Sequence, residues 1–183
     1  MLGFDTTLER ARKRDQDALM RLYDLSCNAV FNASYRIVLN EQDAEEITQD
    51  AILKAFENLN SFKGSEREFV ALVKTIAINK SIDAFRRRRK NPFYVEIDNT
   101  ADQIEDEDDD FEDFPIEKIK DALNNLPDGY RLTITLRLIE GKEFAEIAEM
   151  MGIKESTVRS QYARGLEKLR STVTAQFNEV PHH

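Results

Sequence analysis

Apolar residues recur at three- and four-residue spacing along most of this chain, and that pattern predicts helices almost throughout. Leu8 to Arg14 is a short candidate. From Asp17 to Leu39, the residues Leu19, Leu22, Tyr23, Ser26, Val30 and Ala33 fall along one side. Asp43 to Leu59 follows, with Ala44, Ile47, Ala51, Ala55 and Leu59 as its stripe. Asn60 to Glu66 is polar, contains Gly64 and reads as a loop. Glu68 to Arg88 carries Phe69, Leu72, Val73, Ile76, Ala77, Ile82 and Phe85 at helical spacing, and Pro92 stops the pattern soon after. Apolar order resumes at Pro115. Ile116, Ile119, Leu123 and Leu126 mark a helix ending near Pro127. Asp128 or Gly129 opens another, through Tyr130, Ile134, Leu136, Leu138 and Ile139 to Gly141. No stretch alternates with the two-residue period of a strand over a useful length.

Glu143 to Arg170 has the layout of a helix-turn-helix. Phe144, Ile147, Ala148 and Met151 form a short amphipathic helix, Gly152 supplies the permissive backbone of a sharp turn, and Ile153 plugs the corner. Ser156 or Thr157 is expected to cap the next helix, whose buried stripe is Val158, Tyr162, Leu166 and Leu169. Its other face carries Arg159, Ser160, Gln161, Arg164, Lys168 and Arg170. Such cations neutralise phosphates, and Arg and Gln pair bidentately with guanine and adenine edges in the major groove. A plain amphipathic hairpin with a solvated charged face has the same pattern.

The expected fold class is therefore all-α. Two small helical domains, about 6–90 and 115–173, are joined by an acidic flexible linker over 91–114. Charge sharpens this division. The net charge of −9 runs against nucleic-acid binding, but 91–114 holds 11 of the 35 acidic residues and no Lys or Arg. Outside it the basic residues outnumber the acidic, 26 to 24. The first domain ends in Arg86, Arg87, Arg88, Arg89 and Lys90. Cations suit a helix C-terminus, but five in succession exceed what capping needs and point to a nucleic-acid contact.

The same inventory excludes other classes. Cys27 is the only cysteine, and the only histidines are His182 and His183 at the very end, read as a possible tail remnant. No disulfide, zinc cluster or histidine acid–base chemistry follows. No catalytic residue, metal ligand or cofactor is expected. No apolar run approaches bilayer length, and Met1 to Arg14 lacks a secretory pattern, so a cytoplasmic protein is expected.

A helical block with a basic end, an acidic tether and a helix-turn-helix together resemble the bacterial RNA polymerase sigma factors of the extracytoplasmic-function type. Asp43-Ala44-Glu45-Glu46-Ile47-Thr48-Gln49-Asp50-Ala51-Ile52-Leu53-Lys54-Ala55-Phe56 resembles that family's core-polymerase-binding helix. Ile76 to Arg89 resembles its promoter-melting helix, and Leu126-Pro127 the lead-in to its −35-reading domain. Ser156-Thr157-Val158-Arg159-Ser160 and Ala163-Arg164-Gly165-Leu166 match its recognition helix.

The resemblance implies a role for each motif. Glu46, Gln49, Asp50 and Leu53, neighbours on successive turns, would dock on the beta-prime clamp helices of core RNA polymerase. The second domain would meet the beta flap. Asn60, Ser61, Phe62 and Lys63 would capture a base flipped from the −10 element. Phe62 reads equally as a core residue, and Asn79 as one that satisfies backbone groups. Asn79 and Lys80 would face the same neighbourhood, with Arg86, Arg87, Arg88 and Arg89 tracking duplex phosphates. Ser156, Thr157, Arg159, Ser160, Gln161 and Arg164 would read the −35 element. The carboxylates Glu105 to Asp110 would mimic RNA in the polymerase exit path. An anti-sigma factor, common in the family, would be a further partner, and no membrane insertion is expected.

The chain departs from the family pattern in having Leu72 where many members have Trp, and Gln161 where many have Arg or Lys. The first suggests a promoter-stringent factor. The second leaves the −35 preference to this chain alone. The alternative function is a stand-alone helix-turn-helix regulator, which needs a dimer interface for paired half-sites. An enzyme or a purely structural helical protein fits less. The acidic linker lacks the turn glycine of a calcium loop.

Overall fold

The computed structural model describes residues 3–88 and 115–178. The chain divides into two compact units at Arg88. All regular structure among the described residues is helical. The acidic segment 91–114, Arg89, Lys90, His182 and His183 lie outside the described residues, and so do the expectations placed on them.

The first unit has four helices: α1 (Phe4–Arg12), α2 (Gln16–Val38), α3 (Glu41–Glu57) and α4 (Glu66–Arg88). Each boundary has a local cause. Asp15 caps α2 by accepting from the Ala18 amide at 3.0 Å, and Arg10 grips the same carboxylate at 2.9 Å. Those bonds, the Ala18 amide foremost, hold the Asp15 carboxyl below the usual carboxylate range. Leu39 closes α2 in the left-handed region at φ 52, and Asn40 caps α3 by accepting from the Asp43 amide at 2.9 Å. Before α4, the Glu68 carboxylate accepts from the amide of Ser65 at 2.7 Å and from its hydroxyl at 2.8 Å. This is one arm of a capping box, which the spacing Ser65 to Glu68 permits. Leu22, Val30, Ile52, Phe69, Val73 and Ala77 meet in the core. The first helix starts four residues earlier than its apolar pattern suggests.

The second unit contains α5 (Ile116–Asn124), α6 (Asp128–Ile134), α7 (Phe144–Met151) and α8 (Glu155–Asn178). Its core joins Leu123, Leu126, Tyr130, Ile134, Leu166, Leu169 and Val173. Gly165 lets α8 approach α6 closely: a Cβ there would lie 2.9 Å from Ile134 Cδ1 and 3.0 Å from Tyr130 Cβ. Arg131, almost wholly buried, is ion-paired with Asp128 at 3.0 Å.

One element differs in kind from the sequence reading. The helix expected to run to Gly141 changes at Thr135 into a π-helical stretch, Thr135–Ile139, closed by the Glu140 amide donating to the Thr135 carbonyl at 3.1 Å. The wider turn rotates later side chains outward. Leu136 is buried, but Leu138 and Ile139 are 52% and 45% exposed and do not extend the buried stripe.

Candidate nucleic-acid and polymerase interface

Glu46, Gln49, Asp50 and Leu53 form an exposed row on α3, with Leu53 59% accessible. Beside them runs the C-terminal half of α4. A groove of about 800 Å³ lies between the two helices, lined by Asp43, Glu46, Asp50 and Asp83 and by Lys80, Arg86, Arg87 and Arg88. Two ion pairs span it. Lys80 Nζ lies 3.0 Å from Asp50 Oδ2, and the Arg88 guanidinium grips Asp43. The Asp43 hydrogen bond, and to a lesser degree the Glu46 charge, hold Arg88 protonated above its ordinary range. The sequence assigns Asp50 and Lys80 to different partners and gives no sign that they touch.

The loop between α3 and α4 is built more firmly than its composition suggests. The Ser61 and Phe62 amides both donate to the Asn58 carbonyl, at 3.1 and 3.3 Å. From α1, Arg12 donates to the carbonyls of Leu59 at 3.1 Å and Phe62 at 2.6 Å. Asn60, Ser61 and Lys63 face solvent. Phe62 is half-buried, packed edge-on against buried Phe69 with ring centroids 5.5 Å apart, so its ring belongs to the core of the unit. Asn79 is exposed on α4, on the same helix as the groove cations. Arg12 was invisible to sequence reasoning, because nothing in its own neighbourhood marks a partner about fifty residues away.

In the second unit the turn has the expected form. Gly152 sits at φ 66, and the Ile153 amide donates back to the Ala148 carbonyl at 3.1 Å. The cap of α8 is displaced from expectation. The helix begins at Glu155, and the Thr157 and Val158 amides donate to the Lys154 carbonyl, so Ser156 and Thr157 lie inside the first turn. Ser156 is exposed, Thr157, Ser160 and Arg164 are half-buried, and Arg159 is exposed. Arg159 is nevertheless held: Glu155 accepts from it at 2.7 Å, and its guanidinium lies 4.5 Å from the centroid of Phe144. Arg137 stands 4.8 Å from the same ring.

Gln161 corrects the sequence reading. It is fully buried, with its side-chain amide 3.2 Å from the hydroxyl of Thr133, which itself donates to the Gly129 carbonyl at 2.7 Å. Position 161 lies one turn after Val158 and one turn before Gly165, within the inward face of α8. Its polarity concealed that geometry, and a side chain buried in the core does not face a base edge.

Among the described residues, no group of three or more His, Cys, Asp or Glu side chains is placed to hold a metal, and no helix is long and apolar enough to cross a membrane. The sigma-70 region 2 family matches residues 22–91, and the sigma-70 region 4 family matches residues 116–169. The chain is 32% identical over 176 residues to the ECF RNA polymerase sigma factor SigW of Bacillus subtilis, covering 89% of this chain and 92% of the relative. It is 28% identical to the ECF sigma factor SigE of Mycolicibacterium smegmatis, covering 97% and 68% of the respective chains. The sigma factor RpoE of Bartonella quintana, solved with the anti-sigma factor NepR, shares the fold at a TM-score of 0.51 and 22% identity, over 88% of this chain and 98% of that one. With both conserved regions matched in order and a relative above 30% identity aligned over nearly its full length, the chain belongs to the ECF family of RNA polymerase sigma factors, the initiation factors that bind core polymerase and direct it to promoters.

Proposed function

We propose that the first unit docks on core polymerase through α3 and engages the −10 element through the loop and α4, while α8 reads the −35 element. The observation that carries this reading is the exposed row Glu46, Gln49, Asp50 and Leu53 beside a cationic helix end, inside the region 2 match. Mixed carboxylate and apolar character suits a partner helix bearing arginines, which the beta-prime clamp helices supply in the family. At the −10 element, Asn60, Ser61, Lys63 and Asn79 offer exposed hydrogen-bonding groups to an extruded base. Phe62 is the wedge beneath the loop. Lys80, Arg86, Arg87 and Arg88 supply phosphate contacts.

At the −35 element the readers are Ser156, Thr157, Arg159, Ser160 and Arg164. Arg159, steadied by Glu155 and Phe144, suits a bidentate contact to guanine. The exposed Leu138 and Ile139 suit a second polymerase contact at the beta flap. The factor acts in the cytoplasm, where polymerase resides, and catalyses nothing itself. A stand-alone regulator would leave the region 2 unit without a task.

Glu46→Arg combined with Asp50→Arg tests the docking surface. The full chain keeps its helicity and loses co-migration with core polymerase. Unchanged co-migration of a folded double variant would reject the surface.

A further inference from the structure

Glu155 places an acid where an acid works against DNA binding. It is the first residue of α8, the helix proposed to read the −35 element, and its side chain is exposed. A carboxylate there suits the helix dipole, but facing DNA it is repelled by phosphates. Its partner is Arg159, one turn on. Glu155 Oε1 accepts from Arg159 Nε at 3.0 Å and from Nη2 at 2.7 Å. An acid four residues before a base is the favoured order on a helix.

The guanidinium is thus held on two sides. Its side edge, Nε with Nη2, faces Glu155, and its carbon lies over the Phe144 ring at 4.5 Å from the centroid. Arg137 shares that ring at 4.8 Å and has its own carboxylate, Glu143, at 3.0 Å. The two guanidiniums therefore lie within a screening length of about 10 Å, and Arg159 without its acid would be pushed off the ring by Arg137. A guanidinium has about five N–H groups, and the side edge uses only part of them. The end of the fork, Nη1 beside Nη2, is left to face outward. That edge fits O6 and N7 of guanine side by side.

We infer that Glu155 is a specificity-determining residue of the −35 contact: it presents Arg159 end-on to a guanine and withholds it from phosphates. This rests on the assignment of Arg159 to the −35 element and adds the cause of its selectivity. An unpaired arginine finds phosphate oxygens on any sequence. The neutral pair adds little to that attraction, so Glu155 gives up affinity in favour of discrimination. Both side chains are exposed, 58% for Arg159 and 44% for Glu155, so the pair contributes little to stability. Its effect is on where the guanidinium points. Freeing so long a side chain restores rotamers that binding must freeze again, which lowers guanine preference by about two- to tenfold. One arginine returned to the phosphates steepens the salt dependence of duplex binding by about 0.9 in log–log slope. A pair that only stabilised the helix would change neither.

The test uses holoenzyme reconstituted from the full chain and matched core polymerase, on a promoter located by run-off transcription. Bound duplexes are selected from a library of that promoter randomised across the −35 element. Binding to the same promoter with a scrambled −35 element is followed over a salt series. Glu155→Ala loses guanine preference at one base pair, the pair at which Arg159→Ala also loses it, and binds the scrambled duplex more tightly with a steeper slope. Glu155→Gln keeps an acceptor at the same reach and retains part of the preference. Glu167→Ala removes the same charge from α8 about 18 Å further along and changes neither readout. Unchanged guanine preference or an unchanged salt slope in Glu155→Ala overturns the inference. So does a loss at a different base pair, which would make Glu155 a reader itself. An Arg159→Ala profile like that of wild type at every pair would sink the assignment of Arg159 to the −35 element, and the inference with it.

Discussion

Replacing Arg12 with alanine tests whether α1 holds the loop proposed to meet the −10 element. The guanidinium donates from Nε to the Leu59 carbonyl at 3.1 Å and from Nη2 to the Phe62 carbonyl at 2.6 Å, and it is ion-paired with Glu9. A hydrogen bond from a charged donor contributes about 1.5–3 kcal/mol where water is excluded. Here the side chain is 24% accessible and Phe62 is half-buried, although Leu59 is buried, so water recovers part of the loss. The two bonds together then contribute about 2 kcal/mol, below the roughly 3–6 kcal/mol of two such bonds fully shielded from water. In a unit of this size that lowers the melting midpoint by about 8–15 °C. Differential scanning calorimetry of the full chain reads the first unit's transition. Transcription from matched promoters with intact and altered −10 elements reads the loop's function. Arg12→Ala loses stability and −10 discrimination together. Arg12→Lys recovers less than half, because one ammonium lacks the fork that spans two carbonyls. Glu9→Gln, which removes only the exposed ion pair, stays within about 0.5 kcal/mol of wild type. A midpoint for Arg12→Ala within about 1 °C of wild type, with unchanged −10 discrimination, would refute the anchoring argument.

Two other perturbations have defined directions. Glu68 is held below its ordinary value of 4.5 by the Ser65 amide first and the Ser65 hydroxyl second. A depressed carboxyl stabilises the fold above its unfolded pKa and loses that contribution as pH falls through the folded one. The stability gap between wild type and Glu68→Gln is therefore full near neutrality and closes well below pH 4.5, as thermal melts across that window would show. A gap that is constant with pH would remove the charge from the capping account. Arg159→Ala weakens −35 binding by about 1–3 kcal/mol if it reads a base edge, with relaxed preference at one base pair. Wild-type affinity and preference in a filter of randomised −35 sequences would exclude Arg159 from the recognition surface.

Much of this architecture is legible in the sequence because its causes are local. Helices α2, α3 and α4 fall within two residues of the ranges their apolar spacing predicts, and Gly152 sits at the positive φ its turn requires. What escaped depends on partners far along the chain. Gln161 reads as a base-contacting side chain until Thr133, 28 residues earlier, is found against its amide. The π-helical stretch at Thr135–Ile139 lies in an apolar run whose polarity pattern does not change, so its exposure of Leu138 and Ile139 leaves no trace in composition. The site was legible residue by residue and not as an arrangement. Asp50 and Lys80 each stand out in a recognisable motif, but only the packing of α3 on α4 makes them one ion pair. Arg12 carries no motif at all.

The most direct test of the account mixes the purified chain with sigma-free core polymerase from a matched bacterium and assays genomic fragments for run-off transcripts. Discrete transcripts are expected that require both components and start downstream of a shared −35 and −10 pattern. No co-migration and no transcripts, from a polymerase active with its housekeeping factor, would contradict it.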